Sequence, residues 1–171
     1  ILSAPEQRAV VEKAIADTVL REYEGCEMLM GTSTAGIPHA AIAAHSMGLP
    51  MGYVRAGAKD HGRQNQIEGR MAPGTKVVVV EDLISTGGSV IEVVRVLKEA
   101  GAQVLGIVSI FTYGMKRGLE ALAKEGVKNV SLTHFDAVAE VAAQTGYIKP
   151  DDVKRLKQFR DNPADESWIN A

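Results

Sequence analysis

Apolar and small residues recur at helical spacing from Val10 to Val19, and this pattern predicts a helix that starts at a capping box on Ser3 and runs to Tyr23. Later segments with similar patterns predict further helices at 37–47, between Gly88 and Gly101, and at 115–124, 135–144 and 150–160. Short apolar runs predict strands at 27–30, 51–54, 76–80, 104–111 and 128–132. Because strands and helices alternate, we expect an α/β fold with a mainly parallel five-stranded sheet flanked by helices on both faces.

Two segments show neither the helical spacing nor the apolar runs of the predicted helices and strands. The first, 56–74, reads AGAKDHGRQNQIEGRMAPG, a polar stretch with four glycines that follows a predicted strand. Loops of this length in compact domains usually serve a function, so we take it as a candidate part of the site. The second is the tail DNPADESWINA, which we expect to be irregular, with Trp168 anchoring it.

Composition narrows the class of protein. The chain has 171 residues, 46% hydrophobic, 23% charged and 5% aromatic, with a net charge of -2. These values are typical of one globular domain over residues 1–171, and they give no basic field for a nucleic acid. A single cysteine, and the lack of an apolar run of about 20 residues, favour a reducing cytoplasm with no membrane partner. Because the chain does not begin with Met, we expect it to start inside a longer protein.

The strongest chemical signal is the segment VVVVEDLISTGGS at 77–89. A buried strand leads into two carboxylates, Glu81 and Asp82, then a loop of hydroxyls and glycines, then a helix start. Glycines allow close backbone approach, and a helix N-terminus attracts anions, so the loop predicts a cradle for one phosphate. No lysine follows the glycines, which excludes a Walker A loop. Carboxylates before the loop suit the hydroxyls of a ribose, unless they merely cap the next helix.

With these residues in view, VVVVEDLISTGGS resembles the phosphoribosyl pyrophosphate signature of the type I phosphoribosyltransferases. The segment YVRAGAKDHGRQNQIEG resembles the catalytic loop of the orotate branch of that family, and GTSTAGIPHA resembles its pyrophosphate-side loop. The tail NPADESWINA is similar to that of one bacterial group of the branch. The resemblance implies a type I fold without the family's amino-terminal segment. It also implies transfer of phosphoribosyl to orotate in pyrimidine (UMP) biosynthesis, by a pentosyltransferase.

Carried over position by position, the resemblance implies catalytic roles for Asp82, Lys59 and His61, and an orotate contact for Ser85. It implies that phosphoribosyl pyrophosphate is bound by Arg55, Lys59, His61, Glu81, Asp82, Leu83, Ile84, Ser85, Thr86, Gly87, Gly88 and Ser89. Mg²⁺ is expected to enter with the substrate, with no protein metal ligands. The resemblance further implies a homodimer with shared active sites.

Three positions depart from the pattern, because Ala35, Ala56 and Thr112 stand where some relatives carry a basic residue. Two alternatives to orotate remain open from the motif itself. One is a phosphoribosyltransferase for a purine or uracil, since the sugar-phosphate motif is common to these enzymes. The other is a non-catalytic regulator of the same fold that senses nucleotides, although such a protein would need a basic face to hold nucleic acid.

Overall fold

A computed structural model describes residues 1–55 and 66–170. Six α-helices are α1 Pro5–Glu22, α2 Gly36–Met47, α3 Gly88–Glu99, α4 Lys116–Glu125, α5 Phe135–Gln144 and α6 Asp152–Asp161. Six strands are β1 Met28–Thr32, β2 Met51–Val54, β3 Ile67–Glu68, β4 Lys76–Ile84, β5 Gln103–Thr112 and β6 Asn129–His134. A short 3-10 helix, Glu166–Asn170, follows in the tail.

The strands form one sheet in the order β3-β2-β1-β4-β5-β6. Every pair is parallel except β2 and β3, which run antiparallel. The predicted α/β class is therefore confirmed. Because the inner strands are parallel, their carboxyl ends meet at one edge of the sheet, which is where ligands bind in folds of this kind.

Several predicted boundaries were wrong. The sheet has six strands rather than five, because two residues at Ile67–Glu68 pair with the end of β2, a ladder too short to leave a periodic signal. Strand β4 continues to Ile84 instead of ending at Val80, since β5 extends the ladder alongside it. Helix α1 begins at Pro5, and no side chain caps it, so the capping box at Ser3 does not form.

Apolar side chains fill both faces of the sheet. Strand β4 lies at the centre, and its four valines, Val77 to Val80, are fully buried. Alternate valines point to opposite faces: one face packs on α3 and α4, the other on α1 and α2. The strand that carries the candidate site therefore has a fixed position in the core.

The polar pair Glu12 and His39 lies inside the contact between α1 and α2. Glu12 is 3% exposed and His39 is 2% exposed, and their Oε1 and Nδ1 atoms are 2.7 Å apart. The other carboxylate oxygen of Glu12 has no hydrogen-bond partner. Burial raises the pKa of Glu12, while the hydrogen bond and charge of His39 lower it. Each group thus depends on its partner for compensation of a large desolvation cost.

A chain of aromatic rings attaches the tail to the sheet. It runs through Phe111, Tyr113, Phe135, Phe159 and Trp168, with neighbouring ring centroids 5.1 to 6.5 Å apart. The expectation that Trp168 anchors the tail is confirmed, although the segment expected to be irregular contains a 3-10 helix. Within the described ranges, no helix is long and apolar enough to cross a bilayer.

Candidate active site at the carboxyl edge of the sheet

The acidic pair lies on the last residues of β4. Glu81 pairs with Ser109 of β5, and the ladder continues beyond it to Ile84. Because β4 extends to Ile84, Glu81 and Asp82 lie on a regular strand rather than on a loop. Their backbone positions are set by the sheet before any ligand binds.

Glu81 is the more buried of the two carboxyls, at 5% exposure, whereas Asp82 is half-buried. Its Oε1 accepts hydrogen bonds from the Thr32 hydroxyl at 2.7 Å and from the Asp82 backbone N–H at 3.0 Å. Burial, and then the adjacent Asp82 carboxyl, raise the pKa of Glu81 to about 7, whereas Thr32 lowers it. The pKa of Glu81 is therefore raised toward neutral pH, a property often found at functional sites.

The hydroxyl–glycine segment that follows β4 forms the entry to α3. Gly87 is the residue before the helix and has φ +78°, a conformation that favours glycine. Among the described residues, no side chain caps this helix, and no acidic residue lies in its first turn. Its first N–H groups and the positive end of its dipole are therefore left for an anion, as expected of a phosphate cradle.

Helix α4 supports this loop from outside. A methyl group in place of the Gly118 hydrogen would collide with the backbone carbonyl oxygen of Ser85. Gly118 is thus required for the close approach of α4 to the start of the phosphate loop. Sequence reasoning missed this residue, because its role depends on a contact between distant segments.

A cavity of about 80 Å³ lies beside the loop. Arg55 and Ser89, both expected to bind phosphoribosyl pyrophosphate, line it together with Thr32 and Ser33. The Arg55 guanidinium lies 3.2 Å from the Glu68 carboxylate on β3. The small strand that the sequence did not predict therefore positions a cation at this cavity.

The remaining predicted residues divide into two groups. Leu83 is exposed, Ile84 is buried, and Thr86 and Gly88 are exposed at the same edge of the sheet as the acidic pair. Lys59 and His61 lie outside the described residues, so their roles stay predictions. Thr112, at the end of β5, accepts a hydrogen bond from the Gly114 N–H and supplies no cation.

Thr32 is a second residue that sequence reasoning missed. It lies within GTSTAGIPHA, which had been assigned as a whole to the pyrophosphate side, and it is 49 positions from Glu81. The sequence feature that could have identified Thr32 is a hydroxyl residue at the carboxyl end of a buried apolar strand. Only the strand order identifies its partner.

The site lies at the topological switch point between β1 and β4, where ligands bind in open parallel sheets. The sequence pattern of the phosphoribosyl transferase domain family matches residues 1–145. The protein is a phosphoribosyltransferase by fold and by sequence, as the resemblance implied.

Individual relatives narrow the class. An orotate phosphoribosyltransferase from Bacillus pumilus is 48% identical over 168 residues, 98% of this chain and 79% of its own length. The orotate phosphoribosyltransferase of Bacillus subtilis is 50% identical over 98% of this chain and 78% of its own length. The chain belongs to the orotate phosphoribosyltransferase family.

Solved structures agree with this assignment. An orotate phosphoribosyltransferase from Aeropyrum pernix superposes with a TM-score of 0.75 at 28% identity, covering 86% of this chain and 81% of that one. A UMP synthase from Leishmania donovani gives a TM-score of 0.79 at 25% identity, covering 93% of this chain and 34% of that one.

Proposed function

We propose that the protein transfers phosphoribosyl from phosphoribosyl pyrophosphate to N1 of orotate, giving orotidine 5-phosphate and pyrophosphate for pyrimidine biosynthesis. The observation that carries the proposal is the acidic pair near the end of β4, with Glu81 buried and Asp82 half-buried, a few residues before the uncapped start of α3. Membership in the orotate phosphoribosyltransferase family indicates that orotate is the acceptor base. The identity of 48% and 50% to two orotate phosphoribosyltransferases favours orotate over a purine or uracil base and over a regulatory role.

The reaction exchanges a C–O bond for a C–N bond at the anomeric carbon of the ribose. The 5-phosphate is held by the loop from Ser85 to Ser89, where helix N–H groups receive it. Glu81 and Asp82 accept hydrogen bonds from the ribose hydroxyls. As the diphosphate leaves, positive charge develops on the ring, and the negative acidic pair stabilises it.

Cations act on the leaving group. Arg55, at the cavity beside Ser89, binds the diphosphate once its side chain exchanges Glu68 for the ligand. Lys59 and His61 complete this role and protect the reacting centre from water, and Ser85 contacts orotate. Ala35 and Ala56 leave fewer cations on this side than some relatives have, which places more of the diphosphate binding on Arg55 and Lys59.

Mg²⁺ would enter with the diphosphate substrate and would neutralise part of its negative charge. Within residues 1–55 and 66–170, no cluster of three or more His, Cys, Asp or Glu side chains could hold a metal ion. We also propose a cytoplasmic location for the reaction, which the single cysteine of the chain favours.

The first test is a panel of bases. The protein is incubated with phosphoribosyl pyrophosphate, Mg²⁺ and orotate, uracil, adenine or hypoxanthine, and the nucleotide formed is identified by mass. We expect orotidine 5-phosphate from orotate, at a rate far above that of any other base. A nucleotide formed from another base alone would refute the proposal.

We also propose that the enzyme is a homodimer in which Lys59 and His61 of one subunit act at the Asp82 site of the other. The long polar segment that carries them follows β2, and β2 pairs with β1, the strand that ends at Thr32. In a dimer with two-fold symmetry such an exchange is reciprocal, so each dimer holds two composite sites.

Subunit mixing tests the shared site. Equal amounts of inactive Lys59→Ala and inactive Asp82→Asn protein are mixed, exchanged and assayed for orotate consumption. Each heterodimer has one intact site, so about a quarter of the wild-type activity should return. If tagged subunits show that heterodimers form but activity stays at the level of the separate variants, each segment serves its own subunit.

A further inference from the structure

Thr32 connects two parts of the site that are distant in sequence. It is the last residue of β1 and is 3% exposed, and a three-residue turn follows it before α2 begins at Gly36. Its hydroxyl lies 2.7 Å from Glu81 Oε1 and 3.3 Å from the Val80 carbonyl oxygen. A hydroxyl has one proton, so it donates to one of these two acceptors at a time.

Two hydrogen-bond donors reach the same carboxylate oxygen of Glu81. Oε1 receives the Thr32 hydroxyl from β1 and the Asp82 N–H from its own strand. Both donors are fixed by buried strands, and two donors on one oxygen restrict rotation of the carboxylate about its last bond. Without Thr32, only the Asp82 N–H of these two donors would remain on Oε1, and the carboxylate would be held less firmly.

On the basis of the proposed function, we propose that Thr32 is a positioning residue of the reaction, whose hydroxyl orients the Glu81 carboxylate to receive the ribose hydroxyls. It acts through Glu81 and does not itself touch the reacting atoms. The geometry also lets Thr32 serve either protonation state of its partner. When Glu81 is ionised, Thr32 donates to it; when Glu81 is neutral, the carboxyl can donate to Thr32, which then donates to Val80.

Electrostatics give this role a measurable consequence. Among the described residues, the charged group that acts on Glu81 is Asp82, and its neighbours on the adjacent strands are the neutral Thr32 and Ser109. Burial, and then the hydrogen bond and charge of the Asp82 carboxyl, raise the pKa of Glu81 to about 7, even though the Thr32 hydroxyl lowers it. Loss of the hydroxyl therefore raises this pKa further, and ionisation of Glu81 requires a higher pH.

The experiment compares Thr32→Val, which keeps the shape of the side chain, with Thr32→Ser, which keeps the hydroxyl. Thr18→Val is the matched control, a buried threonine on α1 that is remote from the acidic pair. We expect Thr32→Val to lose about tenfold or more in kcat/KM for phosphoribosyl pyrophosphate, since a hydrogen bond to a charged group is lost. The loss should be greater at about pH 6 than at about pH 9, because the acid limb of the kcat/KM profile moves to higher pH. Thr32→Ser should keep both the wild-type limb and most of the activity, and KM for orotate should stay unchanged.

The outcomes separate the two proposals. A wild-type enzyme that forms no orotidine 5-phosphate contradicts the proposed function itself. If the wild type is active and Thr32→Val has the same pH profile of kcat/KM, the role of the hydroxyl is overturned. It is also overturned if Thr32→Ser is as impaired as Thr32→Val. If Thr32→Val unfolds, Thr32→Ser is compared with Thr32→Ala, which differ by the hydroxyl alone, and equal profiles of these two overturn it as well.

Discussion

Replacing Asp82 by asparagine is expected to lower kcat about 100-fold or more, the scale of losing one electrostatic stabiliser of a transition state. The substitution keeps the shape of the side chain and removes one negative charge from a site proposed to stabilise a cation. Asp82 is half-buried on regular strand, so the fold should tolerate an amide there. Steady-state assays of orotate consumption measure the effect.

A second readout comes from Glu81. Since the Asp82 carboxyl raises the pKa of Glu81, the amide should lower that pKa and move the acid limb of kcat/KM to lower pH. Asp17→Asn is the matched control, because it removes the same charge from an exposed pair with Lys13 on α1. Near-normal turnover in Asp82→Asn would remove Asp82 from the catalytic set.

Replacing His39 by leucine is expected to lower the free energy of unfolding by about 3–5 kcal/mol, because it leaves the Glu12 carboxyl buried without its partner. For a chain of this size, that loss corresponds to a fall in Tm of about 10 °C. The double variant Glu12→Leu/His39→Leu should recover most of the loss, since an apolar pair of similar volume has no charge to desolvate. A double variant as unstable as His39→Leu would show that packing, rather than the unpaired carboxyl, is the cause.

The pH dependence of this variant has a definite sign. A carboxyl whose pKa is raised on folding contributes its stability below its unfolded value, and that contribution is lost as pH rises through the folded pKa. Burial raises the pKa of Glu12, and His39→Leu removes the hydrogen bond and charge that lower it. The stability deficit of the variant should therefore be larger at about pH 8 than at about pH 5 in denaturant titrations. An equal deficit at both values would contradict the argument.

Local patterns sufficed to predict the helices and the inner strands. The four valines of β4 form a run whose burial follows from composition alone, and the acidic pair and phosphate loop follow it directly in sequence. A site built from one continuous segment can be predicted in this way, because chain order already places its parts together.

What the sequence did not predict depends on pairing between segments. Residues 67–68 form a strand because β2 offers an open edge, and the end of β4 stays extended because β5 continues beside it. Thr32 reaches Glu81, and Gly118 reaches Ser85, through the order of strands and helices. Such contacts leave no periodic signal, since no short window contains both partners.

The tail has a consequence for how this protein is observed in solution. Trp168 is the single tryptophan of the chain, and it lies against Phe159 of α6, at the far end of the ring chain from the sheet. Arg155 donates hydrogen bonds to the backbone carbonyls of Trp168 and Ile169, which seats this segment on the helix. Tryptophan fluorescence therefore reports the separation of Trp168 from Phe159, whereas circular dichroism of the backbone follows loss of the sheet and helices. A melt recorded by emission alone would measure the detachment of a short terminal segment and assign it to the whole enzyme.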